Sequence, residues 1–202
     1  MVPFHASPER PEGKGHSLRV TGGQLGGRKL RVPKGDRVRP TSDRVREAVF
    51  ARIGDLSGAR VLDAFAGSGA LAIEALSRGA REAVLVERAQ AVLAVLRDNV
   101  AQLALESSTR IVRGDARRVL ERLAKAGERF DWIFLDPPYG ADFLPEILTH
   151  ARALLPEGGR IVLEASKRDP LPSHPGLAIL DDRQYGDTRI TRLGREPAGA
   201  DQ

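Results

Sequence analysis

The chain contains no cysteine. That absence excludes disulfides, zinc thiolate centres and cysteine nucleophiles, and with them a disulfide-stapled secreted scaffold and any methylation of cytosine carbon through a cysteine adduct. No stretch reaches membrane-spanning length without a charge, and the opening Met1-Val2-Pro3-Phe4-His5-Ala6-Ser7-Pro8 has no apolar core segment of the kind that directs export. The expectation is a cytoplasmic protein with no membrane partner. Lysine is scarce, occurring only at positions 14, 29, 34, 125 and 167, so arginine supplies most of the 32 cations. Genomic base composition explains that as readily as guanidinium chemistry. There are no internal repeats.

What is present suits one well-buried domain with a modest extension: 202 residues, 41% of them apolar. A net charge of +5 with a pI of about 10.1 makes an acidic partner plausible, nucleic acid first, because neutralising phosphates rewards clustered Arg and Lys. The cations concentrate at Arg28, Lys29, Arg31, Lys34, Arg37, Arg39, Arg44 and Arg46, against Asp36 and Asp43.

Residues 1–16 are too rich in Pro, Gly and charge to bury apolar surface and are expected to stay disordered, as is the tail 196–202. Residues 17–56 read as an extension. In it Leu18–Val20 and Lys29–Val32 bracket Gly22-Gly23-Gln24-Leu25-Gly26-Gly27, a glycine-rich hairpin or flap, and Thr41 or Ser42 caps a helix running to about Ile53. From 57 to 195 strands and helices alternate, which predicts a parallel sheet. Strands are expected at 60–64, 83–87, 110–112, 132–135 and 160–164, and helices near 70–78, 89–104, 116–126 and 143–154. After a Pro-rich link at 170–176, strands 178–184 and 188–193 around the three-residue turn Tyr185-Gly186-Asp187 form a terminal hairpin, so the sheet closes with an antiparallel strand.

Two motifs carry chemistry. Val61-Leu62-Asp63-Ala64-Phe65-Ala66-Gly67-Ser68-Gly69-Ala70 is a strand, a glycine turn and a helix start, where Gly67 and Gly69 remove Cβ atoms that would keep a ligand off the backbone. Read as G-x-G-x-x-A with Glu87 following, the segment also fits a dinucleotide fingerprint, so its spacing does not choose the nucleotide. S-adenosylmethionine fits better: Asp63 offers a carboxylate to an ammonium group where a pyrophosphate would be repelled, and Asp115 is placed to accept from an adenine amine. The plain alternative for Asp63 and Asp115 is helix capping. The second motif is Asp136-Pro137-Pro138-Tyr139, which ends the apolar run 132–135. Successive prolines donate no ladder bonds and hold φ near −65°, so the strand stops in a stiff corner. In an open α/β sheet ligands bind outside such strand ends.

Together with these motifs, Leu18-Arg19-Val20-Thr21-Gly22-Gly23, Gly27-Arg28-Lys29-Leu30, Arg39-Pro40-Thr41-Ser42-Asp43-Arg44-Val45-Arg46-Glu47 and the Gln184-Tyr185-Gly186 turn resemble the RsmD family, bacterial 16S ribosomal RNA guanine-N2 methyltransferases whose named target is guanine 966. The resemblance runs from about residue 17 to 193 and departs at Gly26, where many members carry a basic residue. It implies a Rossmann-like methyltransferase fold: a mostly parallel seven-stranded sheet with an antiparallel terminal strand, helices on both faces, and a small N-terminal β-hairpin plus helix. It implies S-adenosylmethionine as methyl donor, S-adenosylhomocysteine as product, 16S ribosomal RNA or the small ribosomal subunit as partner, a monomer, and no metal. The implied catalytic corner is Asp136, Pro137, Pro138 and Tyr139. The implied cofactor set is Asp63, Phe65, Ala66, Gly67, Ser68, Gly69, Glu87, Arg88, Asp115 and Ala116, with Arg39 and Thr41. RNA contacts fall to Arg28, Lys29, Arg31, Arg44 and Arg46, with Arg39 and Arg44 on the methionine carboxylate or an RNA phosphate. His150 and His174 have no assigned role. Three rivals stand beside this reading: an adenine-N6 type amino-methyltransferase, a dinucleotide-dependent oxidoreductase, and a non-catalytic RNA-binding module.

Overall fold

The computed structural model describes residues 18–33, 43–138 and 142–196. The amino-terminal tail, residues 197–202, the Arg39 and Thr41 block and Tyr139 fall outside those residues, while Glu196, expected in the tail, donates its N–H to Gly176 O at 3.2 Å. Among the described residues the order is α1 (Asp43–Ile53), β1 (Arg60–Asp63), α2 (Ala70–Ser77), β2 (Glu82–Glu87), α3 (Gln90–Gln102), a 3-10 turn (Glu106–Ser108), β3 (Thr109–Arg113), α4 (Ala116–Lys125), β4 (Trp132–Leu135), α5 (Leu144–Leu154), β5 (Arg160–Ser166), β6 (Leu177–Tyr185) and β7 (Thr188–Arg195). The strands form one sheet in the order β3-β2-β1-β4-β5-β7-β6. The first five run parallel and β7 runs antiparallel to both β5 and β6. This is the Rossmann-like methyltransferase architecture the resemblance implied.

Successive strand side chains point to opposite faces, and a sheet covered on both faces reads as continuous apolar runs. Leu62, Val84, Ile133, Leu135, Ile161 and Leu163 face α4 and α5, while Val61, Leu85, Phe134 and Val162 face α1, α2 and α3. The terminal hairpin turns on two residues rather than three, because Tyr185 and Thr188 still pair and leave Gly186-Asp187, with Gly186 at φ 64°, to make the turn.

The extension is a minimal hairpin: one isolated bridge, Arg19 with Lys29, flanked by hydrogen bonds Val20 N to Arg28 O (2.9 Å) and Leu30 N to Leu18 O (2.8 Å). It is held by α2. Gln24 N donates to Ser77 O at 2.7 Å, and Ser77 Oγ donates to Gly22 O at 2.6 Å. A Cβ at Gly23 would lie 1.9 Å from Ser77 O, so only glycine allows this approach. Because α2 leaves the carboxyl end of the sheet and Ser77 is its last residue, the glycine turn sits at the amino end, about 12 Å away along eight helical residues. It is therefore no flap over the strand tips.

Candidate active site

Each parallel strand ends at the same edge, and the strand order reverses between β1 and β4. A ligand crevice belongs at that switch point. A cleft of about 630 Å³ opens there, lined by Asp63, Phe65, Ala66, Gly67, Ser68, Glu87, Arg88, Asp115, Ala116, Asp136, Pro137 and Pro138, with Val32, Arg46, Leu71, Val92, Arg117 and Phe143 among its other walls. That volume suits a nucleoside-sized molecule.

Asp63 lines the cleft almost fully buried, 1% exposed. Its Oδ1 accepts from Phe65 N at 3.4 Å, while Oδ2 has no hydrogen-bond partner. Burial pushes its pKa up to about 7, against the backbone N–H groups of Phe65 and Ala72, which pull it down, and with a last push from Glu87. A buried carboxylate oxygen left without a donor is costly, and a ligand cation is the partner that would satisfy it. Gly67 adopts φ +53°, and a Cβ there would meet only Phe65 O, at 3.9 Å, so the turn presents bare backbone to the cleft. Gly69 departs from the expectation. It is absent from the cleft wall, and its Cβ would lie 2.5 Å from Leu96 Cδ1 and 3.2 Å from Ile73 Cδ1, so glycine at 69 answers helix packing and not ligand approach.

Glu87 is turned to the backbone: Oε2 accepts from Gly67 N at 3.1 Å and Oε1 from Ala89 N at 2.7 Å. It therefore shapes the glycine turn while lining the cleft. Asp115 caps α4, accepting from Arg117 N at 3.1 Å and from Arg117 Nε at 3.0 Å, and that guanidinium holds its pKa below the usual carboxylate range. Across the mouth Phe65 and Phe143 stack at 6.3 Å, and Arg117 lies 5.4 Å from the Phe143 ring. Phe143 and Arg117 were not among the expected site residues. The signal for Phe143 was an aromatic at a helix start just past the proline corner.

The expected RNA-contacting cations separate. Arg28 and Lys29 are exposed, but at the amino end of the sheet; Arg31 is exposed and paired with Asp98 at 2.7 Å; Arg44 is exposed on the first turn of α1. Arg46 is a correction. It is fully buried, its Nη2 donates to Asp43 at 2.9 Å and to the Arg19 carbonyl, and its Nε lies 3.5 Å from Glu74, which also takes Thr21 N and Thr21 Oγ1 at 2.7 Å each and Arg78 Nε at 2.8 Å. A guanidinium taken out of water must be paired, so Arg46, expected on the RNA, is engaged in fastening the extension to α2, with its remaining surface turned to the cleft wall. A second fastening, unforeseen, is buried Asn99: its amide brackets Arg31 N and O at 2.8 and 2.9 Å and donates to Ser68 O at 2.8 Å, joining the extension to the glycine turn.

The chain is similar to proteins already known. The family model described as Conserved hypothetical protein 95 matches residues 18–193. A Bacillus subtilis (strain 168) relative, Putative rRNA methyltransferase YlbH, is 38% identical over 177 residues, covering 86% of this chain and 96% of that one. Ribosomal RNA small subunit methyltransferase D of Escherichia coli K12 is 39% identical over 161 residues, 78% of this chain and 79% of the relative. The solved structure of the putative methyltransferase yhhF from Escherichia coli matches with a TM-score of 0.78 at 33% identity, covering 89% of this chain and 98% of that one. With these matches spanning the extension, the glycine turn and the proline corner alike, the chain belongs to the RsmD family.

Proposed function

We propose that the protein is an enzyme that transfers a methyl group from S-adenosylmethionine to the exocyclic N2 of a guanine in small-subunit ribosomal RNA, guanine 966 being the family's target. The observation that carries this is the pairing, in one cleft, of the buried Asp63 carboxylate, whose Oδ2 has no hydrogen-bond partner, with the strand-end acceptors Asp136 and Pro137. Asp63 would take the ligand's ammonium, Glu87 its ribose, and the Phe65 and Phe143 rings the flank of its adenine.

When bound, S-adenosylmethionine supplies a methyl group on a cationic sulfur and leaves as S-adenosylhomocysteine. The guanine N2 amine is a poor nucleophile because its lone pair is delocalised into the ring. Asp136 Oδ and the Pro137 carbonyl each accept one N2 hydrogen, and these bonds strengthen as positive charge develops on nitrogen, which favours the transition state over the ground state. Pro137 and Pro138 keep that corner stiff. Tyr139 stacks on the base once it has left its helix or loop, since an amine inside a stack cannot reach a buried donor. As the N–C bond forms, the nitrogen releases a proton to Asp136 or to water. The RNA backbone falls to exposed cations such as Arg28, Lys29, Arg31 and Arg44, with Arg39 and Thr41 on the cofactor side.

Asp136→Ala lowers kcat by roughly 10² to 10³, as loss of a single preorganised polar contact does. Near wild-type turnover in that variant sinks the assignment. The address is tested by mass spectrometry of ribosomal RNA from a deletion strain, where one N2-methylguanine is expected to vanish; loss of an N6-methyladenine instead would favour the rival amine.

A further inference from the structure

Alternation along four adjacent strands carries one carboxylate from each to the same face of the sheet, the face covered by α1, α2 and α3. The apolar residues two positions earlier, Leu85, Val61, Phe134 and Val162, all pack on that face, so Glu87 (β2), Asp63 (β1), Asp136 (after β4) and Glu164 (β5) follow them there. The register sets their heights. Asp63 is level with Leu85 and Phe134, and Leu135 is level with Leu163, the last pair of that ladder, so Asp63 lies lowest, and continuing the register by one residue sets Asp136 next to Glu164, about 5 Å away by strand spacing. Along the row, the cofactor cleft covers β2 and β1 and its wall ends at Asp136 and Pro137. Glu164 is one strand further, on the side left for the base that is methylated.

Glu164 is 7% exposed, and its cross-strand neighbour Ile190 packs in the core with residues of α1. Set between apolar Ile190 on β7 and Asp136 on the other side, this acid is retained against a desolvation cost, and none of the steps above uses it.

We infer that Glu164 is a specificity-determining residue of the acceptor site, its carboxylate accepting the N1–H of the guanine whose N2 amine is held by Asp136 and Pro137. This rests on guanine N2 as the acceptor. Guanine presents N1–H directly beside its N2 hydrogens, whereas adenine and 2-aminopurine present a lone pair at N1. With both N2 hydrogens taken by the proline corner, the next acceptor along the sheet meets N1. A carboxylate there holds guanine and repels a base with a lone pair, so the row of acids reads the methyl donor at one end and the identity of the base at the other.

The test follows tritium transfer from S-adenosylmethionine to a synthetic small-subunit rRNA fragment, free and within reconstituted subunits, carrying guanine or 2-aminopurine at the methylated position. The second base keeps the N2 amine and loses the N1 hydrogen. Wild-type kcat/KM is expected to favour guanine by on the order of 10- to 100-fold, the value of a hydrogen bond to a charged group. Glu164→Gln, whose amide can donate to an N1 lone pair as well as accept from N1–H, is expected to bring that ratio to about threefold or less by raising the 2-aminopurine rate, with S-adenosylmethionine binding unchanged as the check on its fold. Equal wild-type rates on the two bases overturn the inference without any variant having to fold. So does a folded Glu164→Gln whose ratio stays at the wild-type value, because some other group then reads N1. If the wild type methylates no guanine N2 in either substrate, the proposed function itself has failed, and this inference with it.

Discussion

At the tip of β1, Asp63 is buried with one carboxylate oxygen lacking a donor, and its pKa stands near 7; just past β3, Asp115 is half-buried, accepts from the backbone and side chain of Arg117, and is held below its usual range. Both line the same cleft, and in the sequence both are acids between an apolar strand and a helix. The spacing to the helix separates them. Asp115 immediately precedes Ala116, the first residue of α4, so the orphan N–H groups of that helix lie within its reach. Asp63 is seven residues before Ala70 and its strand position turns it into the sheet's covered face; the backbone N–H groups of Phe65 and of Ala72 in α2 pull its pKa down, but burial outweighs them and Oδ2 is left without a hydrogen-bond partner. An acid that immediately precedes its helix is held by the backbone and by the arginine of the same turn; one buried further back keeps an oxygen for a ligand.

The sharpest test of that contrast is the pH dependence of stability. The folded-state pKa of Asp63, about 7, lies above its unfolded value, so the folded form holds a proton that the unfolded chain has already released. Stability from this group is therefore undiminished below about pH 4, falls as pH rises between about 4 and 7, and is flat above, for a total loss of roughly 4 kcal/mol. Asp63→Asn removes the ionisation. It is expected to raise the midpoint of urea unfolding at pH 8 while changing little at pH 4, and equal effects at both values would show that Asp63 is not a desolvated acid.

The same group governs the ligand. An ammonium beside Oδ2 favours the ionised form, so S-adenosylmethionine binding expels a proton below about pH 7 and affinity rises with pH up to that point. Asp63→Ala is expected to weaken binding by on the order of 10- to 100-fold, the worth of a charge-assisted hydrogen bond. Calorimetry in buffers of different ionisation enthalpy reads both quantities at once. No proton release at pH 6, together with wild-type affinity in Asp63→Ala, would remove the ammonium from this corner.

Much of this geometry was legible because period-2 alternation and proline chemistry are local. The strand 132–135 and its stop at Pro137 follow from residues in immediate succession, and the two glycine-bearing turns at 67 and 186 follow from backbone freedom. What was not legible depends on partners far along the chain. Arg46 sits in a run of surface-like charges, and Glu74 and the Arg19 carbonyl, 28 and 27 residues away, help to make it a buried cation. Gly69 looked like its neighbour Gly67 until Leu96 and Ile73 supplied the atoms its Cβ would strike. The hairpin's place at the amino end of the sheet follows from Ser77, which nothing in the hairpin itself announces. Glu164 reads as one more charge after an apolar run until the register sets it beside Asp136.

The smallest expected effect falls on Asp115, and it is the one that can undo the contrast. Its carboxylate already accepts from Arg117 N at 3.1 Å, Nε at 3.0 Å and Nη2 at 3.2 Å, so an adenine amine must share an acceptor that is nearly full. Asparagine caps a helix about as well as aspartate, so Asp115→Asn should leave stability near wild type, whereas Asp115→Ala should lose about 1 kcal/mol. Because its folded pKa is lowered, the ionic part of that loss is present above about pH 4 and fades as pH falls through the lowered value. For S-adenosylmethionine affinity, Asp115→Asn should cost about threefold or less, the scale of an exposed ion pair in water. A tenfold or greater loss with stability unchanged would mean that Arg117 lets go when the ligand arrives. Asp115 would then be a ligand acid held in reserve by its own helix, and the spacing to the helix start would not decide which acid meets the ligand.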